Sequence, residues 1–143
     1  MSSNPLQDVA TTMGIVPENE HTIGCECAGY VKRLAPGVTK FKIGDRVACM
    51  SHGTYVNRLQ CPAERVHVIP ESMSYEDAAT IPLVYLTAIY SLYHLGNLKE
   101  GQSVLIHSAA GGVGIAAIQL CQYKKCDVSD PVDVLDIRKN GVD

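Results

Sequence analysis

The chain has 143 residues, 46% of them hydrophobic and 19% charged, with a formal net charge of -3. That length supports one modest domain with its own core, and the lack of a basic excess argues against a nucleic-acid or anionic-membrane surface. The N-terminus has no basic segment followed by an apolar core, so no secretory signal is expected; a cytoplasmic chain with its six cysteines reduced is the reading.

Asp8 to Met13 reads as a short helical turn ended by Gly14. Thr22 to Val31 alternates loosely and reads as a strand. Within it Cys25 and Cys27 straddle Glu26 at strand spacing, which places both thiols on one face as buried or half-buried groups. Ala35-Pro36-Gly37 and Gly44-Asp45 are turns, the second feeding a strand from Val47 to Met50. Gly53 to Leu59 and Arg65 to Ile69 read as further short strands, punctuated by Pro62 and Pro70. Short strands at this spacing predict a small antiparallel barrel. His52 and His67 lie among them and read as solvent-facing or core-bonded rather than catalytic.

Ser74 is placed to cap a helix whose first turn carries Glu76 and Asp77 and which runs to Pro82. A second helix is expected from about Leu83 to Leu95, ended by Gly96-Asn97. Val84, Thr87, Ala88, Ser91 and Leu95 share one face, and Tyr85, Ile89 and Leu92 broaden it. That pattern predicts a helix buried between domains. The apolar run from Ala78 to Leu95 is broken by Pro82 and carries Thr87, Ser91 and His94, so it reads as a core helix and not a membrane span. Tyr85, Tyr90 and Tyr93 read as packing residues.

Leu98 to Ser103 is a polar turn feeding the apolar run Val104-Leu105-Ile106. Small residues and glycines follow, His107-Ser108-Ala109-Ala110-Gly111-Gly112-Val113-Gly114. Ile115, Ala116, Ile118 and Leu120 then give a helix with a small apolar face. Strand, tight turn and helix form the opening unit of a dinucleotide-binding fold. Ala109, Gly111 and Gly114 hold the three small positions of G-x-G-x-x-G, with alanine replacing the first glycine. Such a turn lets backbone approach a pyrophosphate, whose charge the N–H groups and dipole of the new helix favour. The alternative is a tight turn without a ligand. Beyond it, Cys126 to Val128 begins a second strand candidate that Pro131 interrupts, and Val132 to Ile137 is another. Asp127, Asp130, Asp133 and Asp136 fall where such folds set the choice between NAD and NADP.

Thr80-Ile81-Pro82, Leu86-Thr87-Ala88, Leu98-Lys99-Glu100-Gly101 and the run Val104 to Gly114 occur in one order at close spacing. This resembles the zinc-free quinone reductase and enoyl reductase branch of the medium-chain dehydrogenase/reductase superfamily. The stretch from Ile106 to Gly114 is most similar to the enoyl reductase domain of fungal highly reducing polyketide synthases. The fold implied is mixed α/β: a partial GroES-like antiparallel β-barrel over residues 1–82, the first strand–turn–helix of a Rossmann dinucleotide-binding domain over 83–126, and an atypical tail over 127–143.

The resemblance implies NADPH as cofactor, bound through Thr87 near the nicotinamide and through Ala110, Gly111, Gly112, Val113 and Gly114 at the pyrophosphate; read from the residues alone, the Thr87 hydroxyl equally suits a bond to a helix backbone carbonyl. The substrate implied is an α,β-unsaturated acyl thioester on an acyl carrier protein. No catalytic residue is assigned, because the proton donors of related reductases lie beyond the glycine motif. Gly24-Cys25-Glu26 occupies the superfamily's Gly-His-Glu segment, where the zinc-dependent branch places a ligand. A partner cysteine near residues 4 to 8 is absent, so no metal is expected and Glu26 reads as a structural hydrogen-bonding residue. Asn4-Pro5-Leu6-Gln7-Asp8 is a degraded match to a cleft segment of this branch, and Ile15-Val16-Pro17-Glu18 lacks the tyrosine some relatives carry there. The chain is therefore expected to be the middle of a reductase, inactive alone and prone to self-association through open strand edges. A quinone reductase-like oxidoreductase and a non-enzymatic, partner-binding remnant remain as alternatives.

Overall fold

A computed structural model describes residues 5–15 and 22–129. Asn4, the segment Val16-Pro17-Glu18 and everything from Asp130 onward, including Pro131, Asp133 and Asp136, lie outside the described residues. The chain divides into two compact units, Met1–Leu83 and Val84–Asp143.

The first unit begins with helix α1 (Pro5–Thr12), closed by Gly14 in a left-handed conformation. A three-stranded antiparallel sheet follows, in the order β1 (Glu26–Tyr30), β2 (Arg46–Met50), β3 (Val66–Val68). Its register sets Cys27 opposite Cys49 and Cys49 opposite Val66. The expected strand at Thr22 starts only at Glu26. Gly24 has φ +90, and a Cβ there would sit 2.3 Å from the Thr54 hydroxyl oxygen, so the chain kinks at a residue only glycine fills. One face of the sheet packs around Phe41, Cys49 and Val66; another cluster joins Ala48, Ile69 and Ala78. Arg46 ties the sheet to the following loop, donating to the carbonyls of Pro70, Glu71 and Met73 while lying 4.5 Å over the Tyr75 ring.

The strand expected over Gly53 to Leu59 does not form. Gly53 and Thr54 both donate to the Gly24 carbonyl, and Val56 then turns back on the Thr54 carbonyl at 2.8 Å. That three-residue turn takes the backbone out of the ladder. Ser74 does cap helix α2 (Tyr75–Ala78), its hydroxyl accepting from the Asp77 N–H.

Helix α3 (Pro82–Ile89) starts at the proline and continues as a π-helical turn over Tyr90–Leu95, ended at Gly96 with Asn97 left-handed. The helix is not buried as its pattern predicts. Of the expected inner face only Ala88 is buried, and Ile89 and Leu95 are 39% and 66% exposed. The wider turn rotates the last residues off the α-helical stripe and stacks Tyr90 on His94. The continuous helical stretch Tyr75–Leu95 is long and apolar enough to cross a membrane by length and composition alone. The same composition suits the central helix of a packed domain.

In the second unit β4 (Ser103–Leu105) and β5 (Asp127–Ser129) pair in parallel, with Val104 opposite Val128. Helix α4 (Gly112–Tyr123) connects them. The strand that Pro131 was expected to spoil therefore forms ahead of it, so the first residues assigned to the tail belong to the sheet. The core gathers Ala88, Leu98, Ile106, Ala109, Ala116, Ala117, Cys121 and Cys126. Helix α4 turns Gly114, Ala117 and Cys121 inward, whereas Ile115, expected on the packed face, is 48% exposed. Small side chains let the helix approach the strand closely, and that selects glycine, alanine and cysteine over isoleucine for the contact.

Candidate cofactor-binding site

The glycine turn is built by one backbone bend and two backbone hydrogen bonds. Ser108 adopts φ +54, which bends the chain sharply after β4. The Gly111 N–H donates to the Ser108 carbonyl at 2.9 Å. Gly111 then serves as the N-cap of α4, without a side-chain cap. The first helical bond runs from the Ile115 N–H to the Gly111 carbonyl, so the N–H groups of Gly112, Val113 and Gly114 precede the ladder.

Gly114 is locked from below. A Cβ there would fall 2.5 Å from the Ser108 carbonyl oxygen and 2.6 Å from the Ala109 Cα. Both are backbone atoms with no room to yield. Gly111 and Gly112 differ: the nearest atoms to an added Cβ are at 3.3 and 3.4 Å, and both residues are exposed. Ala110 and Val113 are exposed beside them. The third small residue thus serves helix–strand packing, and the two before it leave an open cradle at the helix start. That cradle fits a dinucleotide's pyrophosphate by shape and by the positive end of α4.

Thr87 lies one turn beyond Val84 on α3, and the Val84 side chain is the nearest neighbour of Gly112. The structure therefore brings the Thr87 helix against the glycine turn. Thr87 itself is exposed. Tyr85 donates to the Gln119 side chain and Tyr93 to the Leu120 carbonyl, which fasten α3 and the π turn to α4. These tyrosines act in packing, as their spacing predicts.

In the first unit Glu26 is fully buried and its Oε2 accepts the Leu83 N–H at 2.7 Å, a structural role and not that of an exposed base. Cys25, Met50, Ser51, His52, Arg65 and Leu83 line a shallow cavity of about 200 Å³. His52 and His67 are both exposed. Among the described residues no group of three or more His, Cys, Asp or Glu side chains is placed to hold a metal ion. Sequence reasoning missed Ser108 and Val84, which shape the turn. A positive φ at a serine leaves no trace in the pattern, and Val84 was visible only as one more apolar helix residue.

A small antiparallel sheet followed by a strand, a glycine turn and a helix is the plan of a medium-chain dehydrogenase/reductase. Residues 3–75 match the alcohol dehydrogenase GroES-like domain, and the chain belongs to that family. It is 52% identical over 118 residues to the highly reducing polyketide synthase claI of Penicillium crustosum, covering 82% of this chain and 5% of the synthase. Among solved structures it is similar to the CurK enoyl reductase, with a TM-score of 0.75, 36% identity, and coverage of 89% of this chain and 39% of that one. It is also similar to Escherichia coli quinone oxidoreductase complexed with NADPH, with a TM-score of 0.76, 29% identity, and coverage of 90% and 41%. The chain thus spans a small part of the synthase and under half of either reductase.

Proposed function

We propose that this chain carries part of the GroES-like domain and the pyrophosphate turn of an NADPH-dependent enoyl reductase that acts on α,β-unsaturated acyl thioesters in polyketide assembly. One observation supports this most: the open cradle at Gly111 and Gly112, set by the close packing of Gly114, in a chain half identical to a highly reducing polyketide synthase.

NADPH, when bound, supplies the hydride for the acyl β-carbon. The chain's own residues bind and orient. The N–H groups of Gly112, Val113 and Gly114 take the pyrophosphate oxygens, and Ala110 and Gly111 keep bulk away from them. Thr87 offers a hydroxyl toward the nicotinamide end. Residues 1–82 and 83–126 form the two functional parts, and no side chain is assigned as proton donor. The thioester is delivered by an acyl carrier protein in the cytoplasm. These 143 residues alone bind NADPH weakly or not at all, and they self-associate through open strand edges.

The likeness to a quinone oxidoreductase supports a second reading, a zinc-free quinone reductase. A chain extended through a whole reductase domain, assayed with NADPH against a crotonyl thioester and a benzoquinone, separates the two. Turnover with the thioester is expected. Turnover with the quinone alone would favour the second reading. No NADPH binding by the extended chain would leave a non-enzymatic, partner-binding role.

A further inference from the structure

Three of the six cysteines meet in the first unit, away from the glycine turn. Cys27 on β1 and Cys49 on β2 are direct partners in the antiparallel register, and their sulfurs lie 3.4 Å apart. Cys61 packs against the same cluster and adjoins Cys49. Bonds from the Ser51 N–H to the Cys25 carbonyl and from the Val31 N–H to the Asp45 carbonyl flank the pair in the same register. Cys27 and Cys49 therefore occupy a hydrogen-bonded site of the ladder. Cα atoms at such sites are about 5.5 Å apart, inside the span a disulfide bridges. Rotation of the two side chains closes the remaining gap.

The two thiols differ in a useful way. Cys49 is buried among Phe41 and Val66, while Cys27 is partly exposed. The Cys49 thiol bonds to the Cys27 sulfur and holds the Cys27 pKa down, to about 7. The same bond, with burial, pushes Cys49 up. One sulfur is thus accessible as a thiolate, and the other keeps its proton beside it. That is the arrangement of an attacking and a resolving cysteine.

We propose that Cys27 and Cys49 form a reversible dithiol–disulfide site across β1 and β2, oxidised by hydrogen peroxide and restored by small-molecule thiols. In the first step the Cys27 thiolate attacks one peroxide oxygen. The O–O bond breaks, Cys27 becomes a sulfenic acid, and the departing hydroxide takes a proton and leaves as water. In the second the Cys49 sulfur attacks the sulfenic sulfur. The S–S bond forms, the S–O bond breaks, and a second water leaves with the Cys49 proton. Two thiols and one peroxide give one disulfide and two waters. Reduction returns both protons and both electrons from two small thiols. The site does not depend on the reductase reading.

The test uses the full chain, reduced and then treated with one equivalent of hydrogen peroxide. Free thiols are blocked, and the protein is cut after Glu26, Arg46 and Arg58, which separates Cys25 from Cys27, Cys27 from Cys49 and Cys49 from Cys61. The expected product is a Cys27–Cys49 cross-linked peptide, two hydrogens lighter than its parts. It should exceed any other linkage by roughly tenfold, because the folded ladder holds these sulfurs together, and dithiothreitol should remove it. Cys49→Ser should instead leave Cys27 as a sulfenic acid trapped by dimedone. A second measurement needs no variant: phenylarsine oxide should bridge the same two cysteines in the reduced chain. A dominant Cys49–Cys61 or Cys25 linkage would overturn the proposal. So would oxidation of Cys27 to sulfinic acid without cross-linking.

Discussion

The Glu26 carboxylate on β1 accepts the Leu83 N–H at the start of α3 across 57 residues of sequence, at 2.7 Å. It joins two properties that rarely coincide, a fully buried acid and a helix terminus with orphan donors. The carboxyl oxygen meets an N–H at the start of α3, so the buried acid and the helix start satisfy each other.

Removing that acceptor should destabilise the chain. Glu26→Ala is expected to cost about 1.5–3 kcal/mol in urea unfolding, the range for a hydrogen bond to a charged group. Glu26→Gln, which keeps a carbonyl oxygen for Leu83, should recover part of the loss. An alanine variant as stable as the parent would show that the bond contributes nothing.

The glycines of the turn should separate by role. Gly114→Ala drives a methyl into the backbone of Ser108 and Ala109 and should cost about 1–3 kcal/mol. Gly112→Asp meets only the Val84 side chain, and an acid at the helix start should add about 0.3–1 kcal/mol of stability. In an extended chain that binds NADPH, the same aspartate should abolish binding by repelling the pyrophosphate. Thermal melts and cofactor fluorescence together distinguish the effects; an aspartate variant with unchanged NADPH affinity would remove the turn from the cofactor site.

Alkylation of Cys27 should follow an unusual pH profile. Its bond from Cys49 lowers the thiol to about 7 from an ordinary 9.0, so the reactive thiolate appears as pH rises through about 7. The linked stability has a definite sign. A depressed folded pKa stabilises the fold above 9.0, and that contribution is lost as pH falls toward 7. The raised Cys49 acts oppositely, and its contribution is lost as pH climbs beyond 9.0. Cys49→Ala should move the Cys27 alkylation midpoint upward. Iodoacetamide rates read by mass spectrometry check this, and an unmoved midpoint would refute the assigned cause.

Zinc should not co-purify. Cys25 stands at the ligand position of the zinc-dependent branch, but its cavity neighbours are Met50, Ser51, His52, Arg65 and Leu83. Elemental analysis after dialysis is expected to show far less than one zinc per chain; a stoichiometric ion would reveal ligands beyond this set.

Local pattern by itself determined much of this protein. Pro–Gly punctuation marked the turns around Val47 to Met50, Ser74 announced its own cap, and the glycine run after Val104 marked a strand–turn–helix. Each depends on neighbours within a few residues, where side-chain size and φ preference act directly. Tertiary structure alone decided the rest. Gly53 to Leu59 has strand composition, yet its N–H groups turn to Gly24 and back on Thr54. Helix α4 buries Gly114, Ala117 and Cys121 and leaves Ile115 out, because its close approach to the Ser108–Ala109 backbone at Gly114 favours small residues on that face. The pairing of Cys27 with Cys49 and of Glu26 with Leu83 arises only when distant segments meet. Those contacts are set by strand register and helix placement, which depend on the whole packed chain and on no single stretch of it.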